Sequence, residues 1–335
     1  MRYFEEQEKA RTQTLRLLLL FALTVLGLVL AVNLALALTW KAVSVGGAAY
    51  PAYFFVVNTG VTLLFVLGGW WMETSALAAG GQVLARRAGA REIWPASREA
   101  EHKLGNIVAE LAIAAGMKAP LAMVVDREGG INAFACGWKE ADAAIAVTRG
   151  ALELLTRDEL QGLVAHELSH IREGDTHLNM RLAGMVFGLE MIFNLGSSMC
   201  EGDEAGHRSI LAVPGLAIKA CGSLGWLAGR ALKAAVSRQR EFLADARAVQ
   251  FTRSKDGLGG VLRKVAGQQL TGQVGAPPFH PSVQHMLLVN PIAQPQWLDT
   301  HPALNERIRR IYGRPMPALT APPRDEAVYG QDAIF

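Results

Sequence analysis

The stretch Thr156-Arg-Asp-Glu-Leu-Gln-Gly-Leu-Val-Ala-His-Glu-Leu-Ser-His170 sets the reading of the whole chain. It predicts a helix. Thr156 followed three residues later by Glu159 forms a capping box, and Leu160, Leu163, Val164 and Ile171 recur at helical spacing. His166 and His170 then project from one face, where two imidazoles can grip one zinc ion. Glu167 lies beside them and can take a proton from a metal-bound water, which is the HExxH arrangement of zinc hydrolases. Chance is the competing reading, and the capping box weighs against it.

Composition puts this helix in a membrane setting. Of 335 residues, 51% are hydrophobic and only 19% charged, which is too apolar for an ordinary soluble enzyme. Leu17 to Trp40 carries no charge and is long enough to cross a hydrocarbon core of about 30 Å as a helix. A cleaved signal peptide is the alternative. The run exceeds the usual apolar core of such peptides, and a retained span is expected. Tyr53 to Met72 is a second such run, with Trp40, Tyr50 and Tyr53 marking one interface and Trp70 and Trp71 the other. Arg2, Lys9, Arg11 and Arg16 precede this pair, and Arg86, Arg87 and Arg91 follow it. The loop between holds only Lys41, so the positive-inside rule puts both flanks in the cytoplasm. The formal net charge of +3 is small and predicts no nucleic-acid partner. Cys136, Cys200 and Cys221 fit neither a disulfide framework nor a zinc knuckle, and read as small apolar residues.

Between the spans and the HExxH helix, Ser97 to Gly116 predicts an amphipathic helix, followed by strands at 121–125, 131–136 and 143–147. Beyond Arg172 the chain turns apolar again. Leu182–Cys200 and Ile210–Gly229 are each about long enough to span, although Glu190 interrupts one and Lys219 the other. Two buried soluble helices are the alternative. The small-residue pairs Gly184/Gly188 and Gly225/Gly229 suit close helix packing, and an acidic loop (Glu201, Asp203, Glu204) sits between the runs. The segment 267–295, with His280 and His285, is rich in Gly, Pro and Gln and reads as a surface loop. His301 to Ile311 predicts a last short helix, and the Pro-rich tail from Gly313 is expected to be poorly ordered.

A catalytic zinc needs a third protein ligand and an open position. On a helix from Ser237 to Phe251, Glu241 and Asp245 stand one turn apart. The first carboxylate can bind metal, and the second can hold the free N–H of a ligand histidine. A surface ion pair of Glu241 with Arg238 or Arg240 is the alternative reading.

HELSH at 166–170, together with Ser237-Arg-Gln-Arg-Glu-Phe-Leu-Ala-Asp-Ala246, resembles the HtpX family of membrane zinc metalloproteases, whose more distant relatives are the type 1 CAAX prenyl endopeptidases. Asn132-Ala-Phe-Ala135 resembles that family's strand before the zinc helix, and Thr300-His-Pro-Ala-Leu-Asn-Glu-Arg-Ile308 its C-terminal motif. The resemblance implies one Zn2+ per chain held by His166, His170 and Glu241, with Asp245 behind a ligand and Glu167 as general base. His301 and Arg307 map onto an HP-x-x-x-x-R motif and are the candidates for oxyanion stabilisation, against a helix start and a surface arginine. Asn132, Ala133 and Phe134 resemble an edge strand that pairs with substrate backbone, against an ordinary sheet strand.

The expected fold class is α+β, mainly α: a multi-span membrane protein with a gluzincin-type zinc protease domain carrying a small β-sheet. The expected division is a membrane hairpin over 1–92 (spans 17–40 and 53–72), the two halves of the protease domain over 93–181 and 230–312, a second hairpin over 182–229, and a tail over 313–335. The implied activity is hydrolysis of peptide bonds in membrane or misfolded proteins at the cytoplasmic face of a bacterial inner membrane. The lipid bilayer and polypeptide substrates are the expected partners. A non-catalytic scaffold and an intramembrane site-2-type protease are the alternatives. The second conflicts with Arg157, Asp158, Glu159 and Arg172, which flank the motif with charge.

Overall fold

The computed structural model describes residues 2–44, 48–94, 96, 98–201, 211–271, 283, 286–289 and 301–320, and the side chains of that set other than those of 2–16 and 232–239. Asp203 and Glu204 of the acidic loop, His280 and His285, and the tail from residue 321 lie outside the described residues. The chain forms two units. One comprises residues 1–78 and 178–236, the other 79–177 and 237–335.

The first unit is helical. It holds α1 (Arg2–Val43), α2 (Phe54–Ala76), most of α7 (Asp175–Cys200) and the first part of α8 (Ala212–Thr252). Among the described residues three helices are long and apolar enough to cross a membrane: Leu17–Val43, Phe54–Ala76 and Asp175–Cys200. The second run of the expected second hairpin, now the start of α8, is not among them. It is diluted by Gly, Ala and Lys219. On α1, Leu17, Phe21, Val25, Leu28 and Val32 are buried, while Leu19, Leu23, Leu26, Leu30 and Leu34 stand exposed on the other side. That face is costly in water and neutral in lipid, so the chain is a membrane protein. Asn33 is tied to α2 by Nδ2 donating to Thr59 Oγ1 at 3.0 Å. At Gly188 the backbone of α7 comes so close to α2 that a Cβ would overlap the Val66 carbonyl.

The second unit carries the sheet. Its elements are α3 (Gly81–Arg87), β1 (Ala90–Glu92), α4 (Glu99–Ala115), β2 (Leu121–Val125), β3 (Ala133–Cys136), β4 (Ala144–Thr148), α5 (Arg149–Leu154), α6 (Arg157–Arg172), the end of α8, α9 (Asp256–Leu270) and α10 (Leu304–Tyr312). The strand order is β1-β2-β4-β3. The β2–β4 pair is parallel and the two outer pairs are antiparallel, so β3 lies at an edge. Asn132 gives its carbonyl to the Thr148 N–H (3.0 Å), so the next residue, Ala133, turns its own N–H and C=O away from β4. All of β3 and β4 is buried, which is why both read as short apolar runs. α4 ends at Gly116, whose φ of 65° is cheap only for glycine, with the Met117 N–H closing on Ala112 O at 3.0 Å. α6 lies between β3, α4 and α9, and its crossing with α9 is tight. At Gly162 a Cβ would overlap the backbone of Leu258.

Two sequence expectations are corrected here. The segment 267–295 is no simple surface loop. Its first residues extend α9 to Leu270, and Val283, Met286, Leu287, Leu288 and Val289 are buried, because these apolar side chains outweigh the Gly- and Pro-rich composition around them. The start of the tail is also ordered. The Leu319 N–H donates to Arg263 O (2.9 Å), Arg263 Nε donates to Pro317 O (2.8 Å), and Gly267 leaves room for the Leu319 carbonyl.

Candidate metal centre and active site

The site is built on α6. Thr156 Oγ1 accepts from the Glu159 N–H, and Glu159 Oε2 accepts from the Thr156 N–H at 2.8 Å, closing the capping box. Lys264 of α9 neutralises that buried carboxylate at 2.7 Å and also donates to Leu154 O. The helix start is thereby pinned from two sides, and its later turns are aimed.

About two and a half turns on, His166 and His170 face each other, their Nε2 atoms 3.2 Å apart. Glu241 of α8 completes the group. Its Oε2 is 3.7 Å from His166 Nε2 and its Oε1 is 3.5 Å from His170 Nε2. Glu241 is 4% exposed, which removes the surface ion-pair alternative, and Arg240 pairs with Asp175 instead.

Each imidazole has a carboxylate behind it. His170 Nδ1 is 2.9 Å from Asp175 Oδ2, and His166 Nδ1 is 3.1 Å from Asp245 Oδ1, an ion-pair distance without hydrogen-bond alignment. Arg307 of α10 grips Asp245 with both arms of its fork: Nε to Oδ2 at 2.9 Å and Nη2 to Oδ1 at 2.7 Å. Its Nη1 donates to Leu288 O at 2.9 Å and lies 3.2 Å from Glu241 Oε2. Arg307 is wholly buried, not a surface residue, and His301 Nδ1 lies 3.2 Å from Glu241 Oε2. His177, by contrast, caps the Trp138 carbonyl at 2.9 Å with its ring edge-on to that indole.

The ligating state has room for a cation. With both imidazoles neutral, as metal ligands must be, and Glu167 ionised, four carboxylates (Glu167, Asp175, Glu241, Asp245) meet two guanidinium groups (Arg240, Arg307), and a divalent ion would cancel the two negative charges left over. Neither oxygen of Glu167 makes an aligned hydrogen bond among the described residues, and Glu241 Oε2 makes none either, although Arg307 Nη1 and His301 Nδ1 each lie 3.2 Å from it. Burial pushes the Glu167 pKa up to about 8, reinforced by Glu241 and opposed by His170 and Arg307. Burial works on both imidazoles. It lowers His166, while in His170 the bond to Asp175 and the charge of Glu241 overcome it and raise the pKa to about 9. Burial would raise Glu241 and Asp245 too, but His301 and Arg307 hold the first, and Arg307 and His166 the second, below the usual range.

The other expected residues lie nearby with different surroundings. Asn132 precedes β3; its Oδ1 accepts from the Ala133 N–H (3.0 Å) and from the Val289 N–H (3.3 Å), and its Nδ2 donates to Val289 O (2.8 Å). The Ala133 carbonyl accepts from the Leu288 N–H at 2.9 Å. Phe134 is fully buried, paired in register with Ala146 of β4. Sequence reasoning missed Asp175. Its signal is Gly174, whose φ of 74° turns the chain back so that the first residue of α7 reaches His170.

Residues 98–314 match the model of peptidase family M48. Among curated relatives, the chain is similar to a "Protease HtpX homolog" of Ligilactobacillus salivarius (31% identity over 280 residues, 80% of this chain and 90% of that one). It is also similar to one of Thermoanaerobacter pseudethanolicus (33% over 282 residues, 77% and 88%). A crystal structure of S. mikatae Ste24p aligns with a TM-score of 0.43 at 16% identity, covering 78% of this chain and 63% of that one. With the family's domain matched over most of the chain, this protein belongs to peptidase family M48 and is an HtpX-type metallopeptidase.

Proposed function

We propose that the protein is a membrane-anchored endopeptidase holding one zinc ion through His166, His170 and Glu241, and cutting membrane or misfolded polypeptides at the cytoplasmic face. The single observation that carries this is the buried ligand trio, with its atoms within 4.8 Å of one another beside a carboxylate that makes no aligned hydrogen bond among the described residues. Zinc bound there would supply Lewis acidity toward a scissile carbonyl and acidify a water. Glu167 then accepts the proton of that water and returns it to the leaving amine. Burial raises its proton affinity in the metal-free site, and a divalent ion beside it would bring it back toward the ionised form, so the group can both take and give the proton. Asp175 and Asp245 fix the two imidazoles with their Nε2 atoms turned to the ligand position. Arg307 supplies Asp245 with its counter-charge.

The cytoplasmic placement rests on the basic flanks of the first hairpin. The chain path adds an argument for a fourth crossing. His166 and His170 precede α7, and Glu241 follows it in the same unit. If α7 crosses the bilayer, the chain must cross back before Glu241, and the start of α8 is the segment placed to do so.

Glu167→Gln tests the mechanism. It should retain about one zinc per chain while cleavage of casein falls ~10²–10⁴-fold. Wild-type-like cleavage by that variant, or an unchanged metal content in His166→Ala, would show that the residues have been given the wrong roles.

A further inference from the structure

The buried segment Leu287–Val289 lies against the candidate site, and every polar contact it makes there is through its backbone. The Leu288 N–H donates to Ala133 O at 2.9 Å, on the open edge of β3. The Leu288 carbonyl accepts from Arg307 Nη1 at 2.9 Å. The Val289 N–H and C=O are both held by the Asn132 carboxamide, at 3.3 and 2.8 Å. The site is immediately adjacent. The same Arg307 Nη1 is 3.2 Å from Glu241 Oε2, and Nη2 is 3.5 Å from His166 Nε2.

These four bonds use no side chain of the strap. Any polypeptide that takes the same local bend could make them, since every residue but proline presents the same N–H and C=O. A sheet edge beside a guanidinium and a carboxamide is a sequence-tolerant way of holding a chain by its backbone. The strap's side chains are aliphatic and enclosed: Leu287 is 0% and Leu288 1% exposed.

We propose that Leu288 and Val289 occupy the place of a substrate backbone, so that the peptidase is self-inhibited until a polypeptide segment with aliphatic side chains displaces them. This rests on the peptidase reading above. Substrate and strap then compete for Ala133, Asn132 and Arg307, and the apparent KM contains the cost of expelling the strap.

The test uses the full-length, zinc-loaded protein in detergent, with casein as substrate. Leu288→Pro removes the N–H that bonds Ala133. Loss of one such bond should lower strap occupancy, and with it KM, by roughly 2- to 10-fold, with kcat per zinc-loaded molecule unchanged. An unchanged or raised KM in a folded Leu288→Pro protein overturns the proposal. Because Leu288→Pro also perturbs folding, a second measurement leaves the strap intact. In Glu167→Gln protein, amide hydrogen exchange at Leu288 and Val289 should be slow and should accelerate under saturating casein. Protection that persists with casein bound makes the strap a permanent cover and sinks the idea. Absence of zinc-dependent cleavage in both wild type and Leu288→Pro defeats the peptidase reading and this proposal together, whereas normal cleavage with an insensitive strap defeats this proposal alone.

Discussion

Replacing Arg307 by alanine separates two roles for the same residue. The family resemblance implies a donor to the oxyanion; the geometry makes it the counter-ion of a buried acidic pair. Its side chain is 0% exposed, with Asp245 on Nε and Nη2, Leu288 O on Nη1, and Glu241 Oε2 at 3.2 Å. Truncation strands Asp245 and Glu241, 3% and 4% exposed, without that charge. Removing one partner of a buried pair costs about 3–5 kcal/mol. In a unit of this size each kcal/mol moves the melting temperature by roughly 2–4 °C, so a fall of about 6–20 °C is expected for the metal-free protein. Arg307→Lys should recover part of it, since an ammonium restores the charge and cannot restore the two-armed grip. The assay is thermal melting in detergent, paired with kcat per zinc-loaded molecule on casein well below the melt. A melting temperature that moves by less than about 2 °C, with kcat down ~10²–10³-fold, would refute the counter-ion argument and restore the oxyanion role.

Three further outcomes follow from other contacts. Asp175→Asn removes the charge that holds His170 and engages Arg240, and should weaken zinc binding ~10–100-fold by chelator competition; undiminished affinity would make Asp175 a bystander. Burial would raise the Glu101 pKa above its ordinary 4.5, but the bonds from Arg91 and the Trp94 N–H win and lower it. A depressed carboxyl contributes stability that is fully present above the unfolded value and is lost as pH falls from there through the lower folded value, so the melting gap between wild type and Glu101→Gln should hold from neutral pH to about 5 and narrow only below 4.5. A constant gap would mean that the ion pair carries none of it. Gly162→Ala drives a Cβ into the Leu258 backbone and should cost about 1–3 kcal/mol by denaturant melting; a neutral result would mean that α6 and α9 part easily.

The parts of this structure that sequence reading reached are those whose cause is local. The capping box of Thr156 and Glu159, the one-face pairing of His166 and His170, and β2 at 121–125 each depend on residues within a few positions. Glu241 stood between two roles in the bare sequence, because its burial beside α6 is set by how α8 returns to the second unit. Arg307 read as a surface or catalytic arginine for the same reason. Its partner Asp245 is fixed only by packing of α8 and α10, remote in the chain. Asp175 was hidden by a backbone event, the left-handed turn at Gly174. Leu288 was hidden by composition, since an apolar handful inside a Gly- and Pro-rich stretch gives no period to detect.

The order in which the ligands appear along the chain bears on how the protein is made. His166 and His170 leave the ribosome before α7, and Glu241 only after the start of α8. If α7 crosses the bilayer as proposed, a nascent chain that has not yet returned would carry two imidazoles and a carboxylate base but lack the third proposed ligand, and a two-ligand site holds zinc weakly. Hydrolytic competence would then arrive only when the intervening segment has gone out and come back. The translocation machinery and the unfinished chain itself would be spared until insertion is complete, with the bilayer as the assembly jig of the catalytic centre.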